Sequence, residues 1–95
     1  MIGVQKPRFR LGRIVATPRA TDALAEAQTA AWTLVARHAG GDFGEVGGDD
    51  WQANLDAIRA GDRILSAYTA GMGVTVWVMT EADRSSTCVL LPEDY

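Results

Sequence analysis

Cysteine and histidine are nearly absent from this sequence of 95 residues, which contains one of each, Cys88 and His38. One cysteine cannot form an internal disulfide framework, and the two residues supply too few ligands for a structural zinc site. The longest predominantly apolar run, residues 74–79, is far too short to cross a bilayer. No basic segment followed by an apolar core opens the chain, so we expect no secretory signal, a cytoplasmic location, and neither a metal nor another cofactor.

Disorder is excluded as the main state of the chain, because hydrophobic residues make up 47% of it and charged residues 22%. A chain of this length and composition is expected to form a single domain, residues 1–95, around one hydrophobic core. The sequence contains no repeat, low-complexity segment or linker that would divide it.

Acidic residues are missing from the first 19 positions, and this gap divides the charge unevenly. Residues 1–19 carry a charge of +5, whereas the remainder combines four Arg with twelve acids and carries −8. The basic residues of the first segment are Lys6, Arg8, Arg10, Arg13 and Arg19. A basic strand with Arg8, Arg10 and Arg13 could bind nucleic acid, or it could pair with acidic neighbours of its own fold. The pI of 4.9 favours pairing within the fold.

The first third of the chain predicts a strand followed by one helix. Apolar and basic residues alternate over residues 8–16, and the alternation slips at Gly12, where we expect a bulge or a close backbone contact. Thr17 and Pro18 are typical of a helix start, with a second candidate start one turn later. Apolar residues at helical spacing extend the predicted helix to His38, after which a pair of glycines ends it.

The rest of the chain predicts a loop, a second helix and three strands. Residues 40–48 form a glycine-rich acidic segment without the Lys-Ser/Thr pair of a phosphate-binding loop, so we expect a connector there. Asp49 and Gln52 predict a capping box at the start of the second helix, and Gly61 is expected to end it. Short turns separate the three predicted strands, which span residues 63–69, 74–80 and 87–91.

This order of elements, β-α-α-β-β-β, predicts an α+β fold. Strands joined by short loops form antiparallel meanders, and the first strand is expected to join one edge of that sheet. The predicted architecture is a two-layer sandwich, with a mainly antiparallel four-stranded sheet and two helices on one face. A free edge strand in so small a sheet also makes a homodimer plausible.

Residues with catalytic chemistry are few, and His38 is the central one. It falls on the apolar stripe of the predicted helix, so it is either a core histidine with satisfied hydrogen bonds or a general acid or base. Metal-independent RNases combine such a group with Arg and hydroxyl side chains, and two helices before an antiparallel sheet resemble the barnase/colicin architecture. The candidate catalytic residues of this alternative are His38, Arg63, Ser66, Tyr68, Arg84 and Thr87.

The densest tract of acidic residues lies in the middle of the chain, from Asp42 to Asp62. They either keep a loop and an exposed helix face in solution or imitate the phosphate charges of a nucleic acid towards a protein partner. The polar residues 80–87 predict a hairpin turn, and the alternative is that their acids bind a basic partner. The candidate partner-binding acids are Asp42, Glu45, Asp49, Asp50, Asp56, Asp62, Glu81 and Asp83.

Several segments resemble a family of short bacterial proteins carried on plasmids and other mobile elements, some of which are labelled as restriction–modification subunits. The segments span residues 8–18, 36–38 with 41–42, 63–68, 77–87 and 90–95, and Phe43 stands where the family is expected to carry Trp. The resemblance implies a mobile-element context and transfers no catalytic residue, because the family has no established mechanism.

Two functional hypotheses follow from these observations. The first is a non-enzymatic interaction protein that binds a protein partner, such as a host defence nucleoprotein complex of the CRISPR or restriction type, and inhibits it. Direct nucleic-acid binding and a membrane role are not expected under this hypothesis. The second is a small RNase, which requires His38 beside Arg and hydroxyl side chains in an open cleft.

Overall fold

Residues 6–95, which the computed structural model describes, form four β-strands and three α-helices. The α+β class is thereby confirmed, although the chain has one helix more than the sequence predicted. In chain order the elements are β1 (Arg13–Ala16), α1 (Pro18–Glu26), α2 (Ala31–Ala39), α3 (Gly48–Ala60), β2 (Ile64–Thr69), β3 (Thr75–Thr80) and β4 (Ser86–Leu90). Two 3₁₀ turns, Gly71–Gly73 and Pro92–Asp94, follow β2 and β4.

The sheet has the strand order β1-β4-β3-β2, and it is mixed rather than wholly antiparallel. The last three strands form the expected antiparallel meander, in which Val78 of β3 pairs with Ser66 on one side and with Val89 on the other. The first strand joins the edge beside β4, as predicted, but it runs parallel to its neighbour and is shorter than the predicted strand over residues 8–16. The helices and the β2–β3 hairpin together provide the long connection that a parallel pair requires.

The predicted long helix is wrong, since the structure divides it into α1 and α2. Thr17 caps α1 as expected, because its hydroxyl accepts a hydrogen bond from the Ala20 amide at 3.1 Å. The break comes at Gln28, whose φ of 54° is left-handed and incompatible with a continuing helix. Neither glycine nor proline stands at this point, so the usual signals of a helix end are missing.

The predicted capping box of the second helix is also wrong. The helix α3 begins one residue earlier, at Gly48, with Gly47 as its N-cap and no capping side chain. Asp49 therefore lies within the first turn, where its negative charge favours the helix dipole instead. The predicted end is confirmed, because Gly61 adopts a left-handed φ of 78° directly after the helix.

All three helices pack on the same face of the sheet. Side chains alternate along each strand, so the buried residues Val76, Val78 and Val89 point to the helices. They form a core with Leu24 of α1 and Leu34 of α2, while a second cluster under α3 joins Phe43, Ala57 and Ile64. The C-terminal segment lies against the opposite face, where the ring of Tyr95 meets that of Trp77 at 5.9 Å.

Candidate functional site

The only histidine lies at the centre of a buried hydrogen-bonded chain. His38 Nδ1 is 2.6 Å from the Ser66 hydroxyl oxygen, and Nε2 is 2.8 Å from that of Thr80. The Thr80 hydroxyl is 2.7 Å from that of Thr87, which in turn donates to the Leu11 carbonyl oxygen at 2.8 Å. One polar chain therefore ties α2 to the last three strands and to the segment that precedes β1.

The direction of these hydrogen bonds fixes the tautomer of the imidazole. A carbonyl oxygen only accepts, so the proton of the Thr87 hydroxyl is directed at Leu11 and Thr87 must accept from Thr80. Thr80 then has no proton left for the ring, and His38 Nε2 must carry the hydrogen. His38 Nδ1 consequently accepts from Ser66. Each hydroxyl in the chain is used once as a donor, so the arrangement suits a neutral ring.

His38 is 0% exposed, and this burial decides what the ring can do. Desolvation lowers the pKa of His38 to about 4, with a smaller contribution from the positive charge of Arg84. Phe9 covers the ring edge-on at a centroid distance of 5.2 Å. The histidine is therefore neutral at pH 7 and has no access to a substrate.

The structure brings only two of the other candidate catalytic residues, Ser66 and Thr87, into the hydrogen-bonded chain of His38, and it leaves them inaccessible. The Tyr68 hydroxyl donates to the Asp42 carbonyl oxygen at 2.6 Å, and burial raises the pKa of Tyr68 to about 12. Arg63 lies elsewhere on the surface, where its guanidinium contacts the Glu81 carboxylate at 3.3 Å and the Tyr95 hydroxyl at 3.1 Å.

Arg84 holds together the end of α3 and the turn before β4. Its guanidinium donates to the carbonyl oxygens of Ala57 at 2.9 Å and Asp62 at 2.7 Å, and also to those of Glu81 and Ala82. A cation at the C-terminus of a helix is favoured by the helix dipole. Arg84 thus acts as a structural clamp, and its donors are largely committed to the backbone.

The candidate partner-binding acids divide into two groups. Four of them have partners within the fold: Asp42 with Arg37, Glu81 with Arg63, Asp56 with Gln52, and Asp83 with the Ser85 amide. Arg37 holds the pKa of the Asp42 carboxyl below its usual range, and the Ser85 side chain and amide do the same for Asp83. The remaining four are exposed and form no ion pair among residues 6–95: Glu45, Asp49, Asp50 and Asp62.

The three arginines of the predicted basic strand are exposed, but only Arg13 lies within β1. Arg8 and Arg10 belong to the irregular segment before it, which the Arg8 amide anchors by donating to the Ala39 carbonyl oxygen at 2.8 Å. An open hollow of about 680 Å³, which we call the basic hollow, is lined by the side chains of Arg8, Arg10, Phe9 and Ile14. Gly12 lies at its floor, and a Cβ there would stand 2.3 Å from the Arg84 carbonyl oxygen, so the expected close backbone contact is confirmed.

A second hollow lies at the other end of β1, and it is apolar. Its volume is about 260 Å³, and we call it the apolar hollow. Three large hydrophobic side chains around it are exposed, namely Ile14 at 55%, Val15 at 39% and Trp32 at 72%. Trp32 was not among the predicted site residues, although the sequence carries a signal for it. Its large aromatic side chain falls outside the apolar stripe of its helix.

The two edges of the sheet differ in how far the fold covers them. At the β2 edge, the Asn54 side chain bonds both backbone groups of Leu65, at 2.7 and 3.1 Å. The loop before α3 pairs with Ala67, whose amide donates to the Phe43 carbonyl oxygen at 3.1 Å. Gly44 makes this approach feasible, because a Cβ there would lie 2.0 Å from the Ala67 carbonyl oxygen.

The β1 edge, in contrast, is uncovered within residues 6–95. The amides of Arg13 and Thr17 donate to the Ser85 and Val89 carbonyl oxygens of β4, both at 3.0 Å. Because backbone groups alternate in direction along a strand, those of Ile14 and Ala16 point away from the sheet. All four residues of β1 are exposed. We call β1 and Trp32 together the edge surface.

Comparisons with known proteins add no identity to this geometry. No protein-family model matches the chain, and neither the curated proteins nor the solved structures gave a match. The resemblance to mobile-element proteins therefore stays a prediction.

Among residues 6–95 no helix has the length and apolar character needed to span a bilayer, and no group of three His, Cys, Asp or Glu side chains is arranged to hold a metal ion.

Proposed function

We propose that this chain is a non-enzymatic interaction protein that acts in the cytoplasm and binds a protein partner through its edge surface. The observation that carries the proposal is the open edge of β1 beside the exposed side chains of Ile14 and Trp32. Open strand edges template pairing with another chain, and exposed apolar patches mark interaction sites. The covered β2 edge supports the same view, since residues 6–95 leave the β1 edge open while they close the β2 edge.

The RNase alternative finds no support in this geometry. It requires the only histidine in an open cleft beside cationic and hydroxyl groups, whereas His38 is 0% exposed and bonded on both ring nitrogens. Arg63 and Arg84 are engaged by Glu81 and by backbone carbonyl oxygens, respectively. The hydroxyls nearest to the histidine, those of Ser66 and Thr80, are buried and hydrogen-bonded to its ring.

A host defence nucleoprotein complex on a mobile-element background is our proposal for the class of partner. It rests on the family resemblance and on the exposed acids Glu45, Asp49 and Asp50, which are free of ion pairs within residues 6–95. Carboxylates near the start of α3 can occupy a surface that otherwise binds phosphate. A Glu45→Gln, Asp49→Asn, Asp50→Asn variant is expected to lose inhibition of such a complex while it retains binding at the edge surface.

The interaction function is tested by affinity capture from nuclease-treated bacterial lysate, with quantitative mass spectrometry. The wild-type chain is compared with a Trp32→Ala, Ile14→Ser variant. Met72→Asn is the matched control, because Met72 is 82% exposed in the β2–β3 turn and Asn tolerates its left-handed φ of 63°. We expect a stoichiometric partner for the wild type and the control, and loss of that partner from the double variant. Equal capture by all three proteins would contradict the proposal, as would RNA cleavage that His38→Ala abolishes.

A further inference from the structure

The two hollows beside β1 meet at a single residue. Ile14 lines both the basic hollow and the apolar hollow, so they form one continuous surface along the strand. Arg8 and Arg10 stand at one end of this surface, and Trp32 stands at the other. An occupant that fills both hollows must therefore be acidic at one end and apolar at the other.

The backbone between the hollows determines the shape of that occupant. The outward amide and carbonyl groups of Ile14 and Ala16 offer ladder positions to an extended chain. Strand addition of this kind draws affinity from main-chain hydrogen bonds and specificity from pockets for alternate side chains. At roughly 3.3 Å per residue, a segment of about six to eight residues would span β1 and reach into both hollows.

Charge decides between the occupants that such an edge could take. Residues 6–19 carry five exposed basic side chains and no acid, and only Arg19 approaches a carboxylate of the described residues, that of Asp94 at 4.0 Å. A second copy pairing through β1 would bring two such segments together, and like charges on paired strands are destabilising. An acidic segment meets complementary charge instead.

A bound nucleic acid would form contacts only with the arginines of this surface. Phosphate contacts need neither the outward backbone groups of β1 nor the exposed side chains of Ile14 and Trp32. The body of the protein beyond residue 19 carries −8 and repels a polyanion. A peptide uses the charge, the backbone edge and the apolar hollow together.

We propose that the edge surface binds an extended acidic peptide segment, which adds to β1 as a fifth strand with its carboxylates in the basic hollow and a bulky apolar side chain against Trp32. This inference rests on the proposed function and names the kind of partner segment that the edge surface takes. The partner is recognised by sequence-local features, so an isolated peptide reproduces the interaction.

The test is selection of a random octapeptide library displayed on phage against the full-length protein. We expect the enriched peptides to carry Asp or Glu at one end and an aromatic or large aliphatic residue at the other. An Arg8→Gln, Arg10→Gln variant is expected to bind an enriched peptide about fivefold to tenfold more weakly, because two exposed ion pairs are lost. The Met72→Asn control should bind it as the wild type does.

Two further measurements test whether the peptide binds by strand addition. Methylation of the peptide amides that face β1 should abolish binding, and hydrogen exchange should show that the amides of Ile14 and Ala16 become protected when the peptide binds. Protection of these amides in the free protein would overturn the proposal, because the edge would already be paired, whether by a second copy or by the chain itself. Enrichment without an acidic bias would overturn it too, as would binding of oligo-dT in place of any peptide.

The proposed function can survive the failure of this inference. A partner captured from lysate in a Trp32-dependent manner, combined with no acidic enrichment in the library, would leave the interaction protein in place and remove the acidic segment. A captured partner that ignores the Trp32→Ala, Ile14→Ser variant would remove the edge surface itself. The two experiments therefore separate the existence of a partner site from the chemistry of what fills it.

Discussion

The Nε2 atom of His38 lies 2.8 Å from the Thr80 hydroxyl oxygen, although the two residues are 42 positions apart in the chain. The contact joins α2 to β3 inside the core, and the hydrogen bonds beyond it fix the proton on that nitrogen. A neutral imidazole is therefore part of the folded structure. The neutral imidazole and the two sheet edges lead to four predictions about stability and binding.

The free energy of unfolding should fall as the pH drops from about 6.5 to about 4. The ordinary pKa of 6.5 applies to His38 in the unfolded chain, and burial lowers it to about 4 in the fold, so the unfolded state binds the proton first. The complete shift corresponds to about 3 kcal/mol. Urea denaturation across this range measures the loss. The carboxylates with lowered pKa values, such as Asp42, titrate below this window, and a flat profile between pH 4.5 and about 6.5 would contradict the prediction.

Substitution of Thr87 by Val should lower the free energy of unfolding by about 1 to 3 kcal/mol. The replacement keeps the shape of the side chain but leaves the Leu11 carbonyl oxygen without its donor and Thr80 without its acceptor. Thr75→Val is the matched control, because Thr75 is exposed on β3 and should change stability by less than about 0.5 kcal/mol. Chemical denaturation of both variants checks the prediction, and similar values for the two would refute it.

Substitution of Gly44 by Ala should destabilise the protein by about 2 kcal/mol or more. The added Cβ would lie 2.0 Å from the Ala67 carbonyl oxygen at a φ of 73°, so the loop must leave the β2 edge. Gly48→Ala provides the contrast, since Gly48 has open space around it within α3 and Ala favours a helix. We expect Gly48→Ala to be neutral or stabilising by up to about 1 kcal/mol, and thermal unfolding to rank the two in that order.

Removal of the Trp32 side chain should separate binding from stability. Trp32 is 72% exposed, so Trp32→Ala should change the free energy of unfolding by less than about 0.5 kcal/mol. The same substitution should weaken binding of an enriched acidic peptide by tenfold or more, because exposed aromatic anchors carry much of the affinity of an interface. Parallel denaturation and fluorescence-anisotropy titrations measure both effects. A large loss of stability with unchanged binding would show that the side chain serves the fold.

The strands of the meander could be predicted because their alternation and short turns are local properties of the sequence. The division of the first helix could not, since it comes at Gln28, which is left-handed although no glycine or proline marks the helix end there. The parallel direction of β1 was equally hidden, because an edge strand shows the same alternation in either direction. The capping box failed because the N-cap of α3 is Gly47, two residues before Asp49, a shift within the usual uncertainty of a helix end.

The candidate site, too, could be predicted from the sequence only in part. His38, Ser66 and Thr87 were predicted as members of one group, and the structure does bring them together. The buried core position of His38 was one of the two interpretations that its place on the apolar stripe allowed, and the structure confirms it. Its hydrogen-bonded chain could not be foreseen, because the chain depends on the register that sets Thr80 beside Thr87. The outward character of Trp32 was readable from its position off the apolar stripe. The contrast between the two sheet edges appeared only with the contacts of Asn54 and Gly44.

Closure of the β2 edge also limits how far the sheet can grow. Asn54 occupies both backbone groups of Leu65, and the loop at Gly44 occupies Ala67. A sheet that is open on both sides can stack copies edge to edge without end, whereas this one, within residues 6–95, can add strands only beyond β1. A protein that joins a filament of paired strands through β1 should therefore terminate that filament rather than extend it.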